Sequence, residues 1–214
     1  MNTFSAGDMI RFGWETFKKR PWFFIMVQIC ITIIGVIASQ MSGQVDKAGS
    51  GPALVLALAG VFAGIVIQIL LGMGTISFAL KAHESTDAVR IEDLWAPGTF
   101  WKFLLTSIVV SLITVAGLIL VIIPGIIWGL RFMFAKYAVV DRGLSMSAAL
   151  AESTRITSGH KWELLLLAVL IIVINIVGAL ALIVGLLVSM PVSMLAVAHA
   201  YRTLEHARSE VVAA

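Results

Sequence analysis

The sequence predicts an all-α membrane protein, a bundle of six transmembrane helices built as three helical hairpins, each preceded by a short cytoplasmic amphipathic segment. Apolar residues make up 60% of the 214-residue chain and charged residues 13%, against about 45–50% and about 25% in soluble domains. The mean hydropathy is +1.02. Four long stretches, 21–45, 48–80, 103–130 and 164–201, carry no charged residue. These observations exclude a soluble domain, a coiled coil and a disordered chain.

The lengths of the charge-free stretches predict six spans. A helix crosses a bilayer with about 20 residues, so the first two stretches each fit one span. As a single helix, 164–201 would measure about 57 Å, nearly twice the roughly 30 Å of hydrocarbon; it should fold back at a turn between Gly185 and Pro191. Pro124-Gly125 marks another turn. The predicted spans are 21–39, 53–80, 102–123, 125–140, 162–184 and 187–206, of which 125–140 is short for a full span.

The distribution of positive charge predicts the orientation. Under the six-span arrangement, fourteen of the fifteen Lys and Arg residues fall on one side, and Lys47 alone falls on the other. Cytoplasmic loops carry the excess of Lys and Arg. The chain 1–214 is therefore predicted to be a single membrane domain in the bacterial cytoplasmic (inner) membrane, with both termini in the cytoplasm.

A threefold pattern runs along the chain, with units at 1–82, 83–141 and 142–208 and a tail at 209–214. Each unit has an interfacial Trp beside a basic residue and a proline near the outer turn: Trp22 and Pro52, Trp101 and Pro124, Trp162 and Pro191. Trp favours the headgroup level, and Pro is tolerated in the first turn of a helix. The alternative is that Trp and Pro are simply common at such positions in membrane proteins.

Three cytoplasmic segments have an amphipathic pattern. Ser5 begins a capping-box pattern followed by apolar residues on one helix face, and Ser145 caps a second helix that Ser158-Gly159 closes. The segment 87–95 is a third, shorter candidate. Such helices either lie on the inner leaflet or pack against the cytoplasmic face of the bundle, and the sequence leaves both open.

A family resemblance is sharpest over 120–204. Residues 124–141 read PGIIWGLRFMFAKYAVVD, and Pro191 and the run 201–204 close the pattern. The chain resembles an uncharacterised prokaryotic membrane family whose relatives include the membrane domain of some bacterial glycerophosphodiester phosphodiesterases and the YciC-type inner-membrane proteins. The resemblance implies a six-helix inner-membrane bundle without catalytic activity, because the chemistry of those phosphodiesterases belongs to a separate soluble barrel.

The most costly polar residue is Arg131, seven residues past Pro124. An arginine at mid-membrane costs about 2.5–3.5 kcal/mol, so we expect it to face the interior or an inner-leaflet crevice and to have an oxygen partner. With Lys136, His199 and Arg202 it is a candidate site for an anion or a lipid head group. The alternative is snorkelling, in which the charged groups reach the interface along apolar surface.

Polar and small residues inside the spans are candidates for helix packing. They are Gly60, Gly64, Gln68 and Gly72, spaced by four on one span, and Asn175 on another. Small residues let helices approach closely, and an amide can hydrogen-bond across the contact. The alternative reading is a polar lining for a translocation path.

No catalytic motif is present, so the sequence predicts a protein that is not an enzyme and has no cofactor or metal. The expected role is structural, scaffolding or lipid-interacting. The expected partners are membrane lipids, anionic lipids among them, a second copy of the chain or other membrane proteins, and not nucleic acid. A small-solute or ion transporter is the first alternative, and a membrane-embedded lipid-processing enzyme is the second.

Overall fold

The structure is a computed structural model that describes residues 4–42, 51–95, 97–120, 122–181 and 184–213, and within these ranges it is helical without any strand. Short 3₁₀ helices lie at Ile91–Leu94 and Pro97–Thr99. The α-helices are α1 (Ala6–Lys19), α2 (Pro21–Ser42), α3 (Pro52–Glu84), α4 (Phe100–Leu120), α5 (Ile122–Phe132), α6 (Ala135–Arg142), α7 (Met146–Thr157), α8 (Lys161–Leu180) and α9 (Leu186–Ala213).

Four of the described helices are long and apolar enough to cross a membrane. The segments are Pro21–Met41, Pro52–Glu84, Phe100–Ile119 and Lys161–Leu180, in α2, α3, α4 and α8. Large apolar side chains on these helices are widely exposed, as on Phe62 and Ile119. Exposed apolar surface of this extent suits lipid rather than water, so the chain has the character of a membrane protein.

The predicted span 125–140 is not one helix, because the chain breaks between α5 and α6 at Met133 and Phe134. Ser153 of α7 occupies the break: its Oγ donates to the Arg131 carbonyl at 2.8 Å and accepts from the Phe134 N–H at 3.2 Å. A side chain that enters the hydrogen-bond ladder in this way interrupts a helix. The expectation of a continuous descending helix was wrong for this reason.

The turn between the last two predicted spans comes earlier than the sequence indicated. The helix α8 ends at Leu180 and α9 begins at Leu186, so the turn precedes Leu186 and Pro191 lies inside α9. The turn is close because Gly178 and Gly185 bring the two backbones into contact; a Cβ at Gly185 would lie 2.7 Å from the Gly178 Cα. These glycines, not the proline, determine the position of the turn.

A second glycine contact occupies the corresponding place between α4 and α5. A Cβ added to Gly117 would lie 2.8 Å from the Cα of Gly125. Gly125 follows Pro124, and both lie within the first turns of α5. The predicted outer loop between α2 and α3, which includes Lys47, lies outside the described residues.

Two of the three amphipathic segments are helices that pack on the bundle. The helix α1 begins after Ser5, whose side chain makes no capping hydrogen bond, whereas Ser145 accepts from the Ala148 N–H at 3.5 Å and caps α7. The buried face of α1 includes Met9, Gly13 and Phe17. The third segment contains a 3₁₀ helix, not an α-helix, and the Leu94 carbonyl lies directly against Gly74 of α3.

The fully buried core lies at the end of the bundle where α3 and α6 terminate, against the middle of α9. Its largest buried side chain is Tyr201, and Phe134 and Leu164 lie in the same cluster. The helices α1 and α7 contribute Met9 and Ile156 to it. Tight packing is therefore concentrated at this end, and the candidate site adjoins it.

Candidate functional site

Seven ionised side chains meet at this end of the bundle. We call them the charged cluster: Glu84 of α3, Asp141 and Arg142 of α6, Glu152 and Arg155 of α7, and Arg202 and Glu205 of α9. Four carboxylates and three guanidinium groups from four helices share one network. Because each helix supplies at least one member, the cluster ties all four helices together.

Arg202 is the centre of the charged cluster. Its Nη2 lies 2.8 Å from Asp141 Oδ1 and its Nη1 lies 2.9 Å from Asp141 Oδ2, a bidentate pair. Nη1 also donates to Glu205 at 3.2 Å, and Nη2 contacts Glu84. Tyr201 donates its hydroxyl to Asp141 at 3.2 Å. The side chain of Arg202 is only 14% exposed, so its charge is balanced by protein carboxylates.

The second arm of the cluster connects α6 with α7. Arg142 donates to Glu152 at 3.1 Å, and Arg155 donates to the same carboxylate at 2.6 and 2.8 Å. The hydrogen bonds from Arg155, and then its charge and that of Arg142, hold the pKa of Glu152 below its usual range. The stabilisation from this carboxylate is therefore present above its unfolded-state pKa and is lost as the pH falls through the lowered folded-state value.

A histidine pair lies beside the charged cluster. His83 Nε2 and His199 Nδ1 are 2.8 Å apart, so one ring donates a hydrogen bond to the other. Phe12 of α1 stacks on His199 with ring centroids 3.9 Å apart, and its centroid lies 5.0 Å from that of His83. This three-ring stack joins α1 to α3 and α9.

The structure does not bring the four predicted cationic residues into one pocket. Arg202 is bound by carboxylates and His199 by His83 and Phe12, so neither presents a free charge to an anion. Arg131 is exposed, not turned into the interior, and its Nε donates to Thr154 Oγ1 at 3.1 Å. Lys136 is partly buried on α6.

The predicted packing residues occupy contacts between neighbouring helices. Gly64 is buried, a Cβ at Gly60 would lie 3.3 Å from the Met41 carbonyl, and one at Gly72 would lie 3.6 Å from the Phe103 ring. Gln68 donates to the Gly35 carbonyl of α2 at 3.0 Å. These contacts place the row between α3 and its neighbours α2 and α4.

Asn175 links the two helices of the last hairpin. Its Nδ2 donates to Ser193 Oγ at 2.9 Å, and its Oδ1 accepts from Ser189 Oγ at 2.8 Å. The two serines lie one turn apart on α9. One amide therefore spans the contact between α8 and α9 close to the glycines at the turn.

An apolar crevice of about 460 Å³ opens between α5 and α8. We call it the α5–α8 crevice; it is lined by Ile126, Ile127, Leu130, Lys161, Trp162 and Leu165. Lys161 and Trp162 are both exposed and begin α8. Sequence patterns did not indicate this crevice, because its two walls are more than 30 residues apart along the chain.

Comparisons with known proteins give distant relatives only. No family model matches the chain, and no solved structure matches it. The chain is 24% identical over 230 residues to the uncharacterized protein Rv2560 of Mycobacterium tuberculosis, with 94% of this chain and 69% of the relative covered. The uncharacterized protein Mb2590 of Mycobacterium bovis matches with the same identity and coverage. The similarity extends over nearly the whole chain.

Proposed function

We propose that the chain is a six-span integral protein of the bacterial inner membrane that is not an enzyme and has a structural, lipid-interacting role. The observation that carries the proposal is the contrast between the two parts of the bundle. One end is tightly packed and tied by the charged cluster, whereas the long apolar helices expose their side chains and leave apolar crevices open to the side.

The geometry of the charged cluster supports six crossings. Glu84 and Asp141 lie at the ends of α3 and α6, and both contact Arg202, which lies within α9. The long helices α4 and α8 begin beside the buried core at this side, with Phe103 and Leu164, and carry the chain away from it between these residues. The glycine contacts at 117/125 and 178/185 lie at the turns of the two excursions. With α2 and α3, this makes three hairpins, which agrees with the threefold sequence pattern and with the six-helix bundle that the family resemblance implies.

Charge supports the orientation of the three hairpins. The side that carries the charged cluster also carries fourteen of the fifteen Lys and Arg residues when six spans are assumed. Arg20, for example, donates to the carbonyls of Thr86 and Asp87 at 3.1 and 3.2 Å, beside the end of α3. The positive-inside rule assigns this side to the cytoplasm.

The shape of the apolar crevices supports a role with lipid. Besides the α5–α8 crevice, a groove of about 390 Å³ runs between α1, α8 and α9 past Trp14 and Val177. Another of about 360 Å³ lies between α3 and the 3₁₀ segment at Leu94 and Trp95. All three have apolar walls and are open to the surface, and acyl chains are the apolar ligands that surround a membrane protein.

The proposal is tested by the molecules that remain bound after purification. Native mass spectrometry of the full chain, released from a mild detergent, should show masses of one or more phospholipids on the folded protein. Vesicles that contain the protein should show the same permeability to small ions as empty vesicles. A protein without bound phospholipid would contradict the lipid-interacting role. A protein that conducts ions through vesicles would favour transport instead.

A further inference from the structure

The α5–α8 crevice combines an apolar interior with unpaired positive charge at its edge. Its walls are apolar except for Lys161, and its volume of about 460 Å³ lies within the range of about 300–1,000 Å³ that is typical of ligand sites. Trp162, which is 80% exposed, lies next to Lys161. A tryptophan of this kind favours the level of the lipid head groups.

Two cations near this crevice have no carboxylate partner in the part of the chain that the structure describes. Lys161 lies in the crevice wall and makes no hydrogen bond or ion pair there. Arg131 directly follows Leu130 of the wall; its Nε donates to Thr154, and its guanidinium carbon lies 5.8 Å from the centroid of the Phe132 ring. Glu163 is two residues from Lys161, about 200° away around the helix axis. The positive charge at the mouth of the crevice is therefore available to an external anion.

We infer that the α5–α8 crevice binds one acyl chain of an anionic phospholipid, whose phosphate is held by Lys161 and Arg131. This inference rests on the proposed lipid-interacting role and adds the site and the charge of the lipid. The apolar walls exclude water from the acyl chain of the lipid, and the two cations select a negative head group over a neutral one. Arg131, costly in the bilayer when unpaired, thereby gains a phosphate partner.

Lys161→Glu tests the head-group contact. The full chain is titrated in detergent with dioleoylphosphatidylglycerol or dioleoylphosphatidylcholine, which share acyl chains, and bound lipid is counted by native mass spectrometry. The wild type should bind one phosphatidylglycerol in preference to phosphatidylcholine. Lys161→Glu should weaken that binding about tenfold, because a reversed charge now faces a head group with a net negative charge. It should weaken the binding of phosphatidylcholine much less, because the choline group offsets the charge of the phosphate.

Lys19→Glu is the matched control. Lys19 is an exposed cation three residues before Trp22, and its replacement makes the same change of charge away from the crevice. It should bind phosphatidylglycerol like the wild type. Ile127→Trp fills the crevice, so this variant should also lose its preference for phosphatidylglycerol. Soluble glycerol phosphate should not displace phosphatidylglycerol from the wild type.

Three results would overturn the site: equal weakening by Lys19→Glu, unchanged binding in Lys161→Glu or in Ile127→Trp, or displacement of the lipid by glycerol phosphate. In each case phospholipid still copurifies with the wild type, so the proposed function survives and the site does not. A wild type that carries no phospholipid at all would refute both.

Discussion

Replacement of Arg202 by methionine is expected to destabilise the fold by about 3 kcal/mol or more. The change keeps much of the side-chain volume but leaves Asp141 and Glu205, whose side chains are 12% and 19% exposed, without their main counter-charge. Removal of one partner from a buried ion pair leaves an uncompensated charge, which costs about 3–5 kcal/mol. The measurement is the melting temperature of the purified protein in detergent.

The control for this prediction is Arg11→Met, which removes an arginine from the fully exposed pair with Glu15 on α1. Exposed pairs contribute little, so its melting temperature should match that of the wild type. Arg202→Lys should fall between, because lysine keeps the charge but loses the bidentate contact with Asp141. If Arg202→Met and Arg11→Met melted alike, the charged cluster would not hold the four helices together.

Substitution of Gly13 by alanine is expected to separate α1 from the bundle. A Cβ at this position would collide with the Val192 carbonyl and would lie 3.2 Å from the Ala196 nitrogen. Both are backbone atoms of α9, so the clash is relieved only by movement of a whole helix. Overpacking of this kind costs about 1–3 kcal/mol. The displaced helix should become more accessible to protease, and the melting temperature should fall.

Gly7→Ala provides a matched control on the same helix. The nearest atom to a Cβ at Gly7 is the Ser5 hydroxyl at 3.7 Å, an ordinary contact. The same substitution should therefore leave the protein at least as stable as the wild type, since alanine favours helix more than glycine does. Equal protease sensitivity in the two variants would show that α1 is not packed against α9 at Gly13.

The helical character of the chain and most of its helix positions follow from local sequence. Charge-free stretches longer than 20 residues predict the apolar helices α2, α3, α4 and α8, and each was found. Helices α1 and α7 follow from apolar spacing after Ser5 and Ser145. Such features depend on residues within one or two turns of each other, which a single sequence displays directly.

The sequence did not predict features that depend on distant residues. The break at Met133 and Phe134 is made by Ser153, which belongs to another helix. The sequence places Arg202 among other cations and does not show that Glu84 and Asp141 reach it from two other helices. The glycines at 13, 74, 178 and 185 likewise permit close contacts with backbone that lies elsewhere in the chain, and the sequence does not show which backbone each one faces.

The direct test of the six-span arrangement is the side of the membrane on which the turns lie. Single cysteines are placed at Ala181, in the turn after α8, and at Ser158, between α7 and α8, in a chain whose exposed Cys30 is replaced by alanine. Intact cells are then treated with a membrane-impermeant maleimide. Cysteine at 181 should react from outside, whereas cysteine at 158 should react only after the membrane is opened. The reverse pattern, with 158 labelled from outside and 181 protected, fits either four spans, in which α5, α6 and α9 do not cross, or six spans in the opposite orientation. Either would contradict the account.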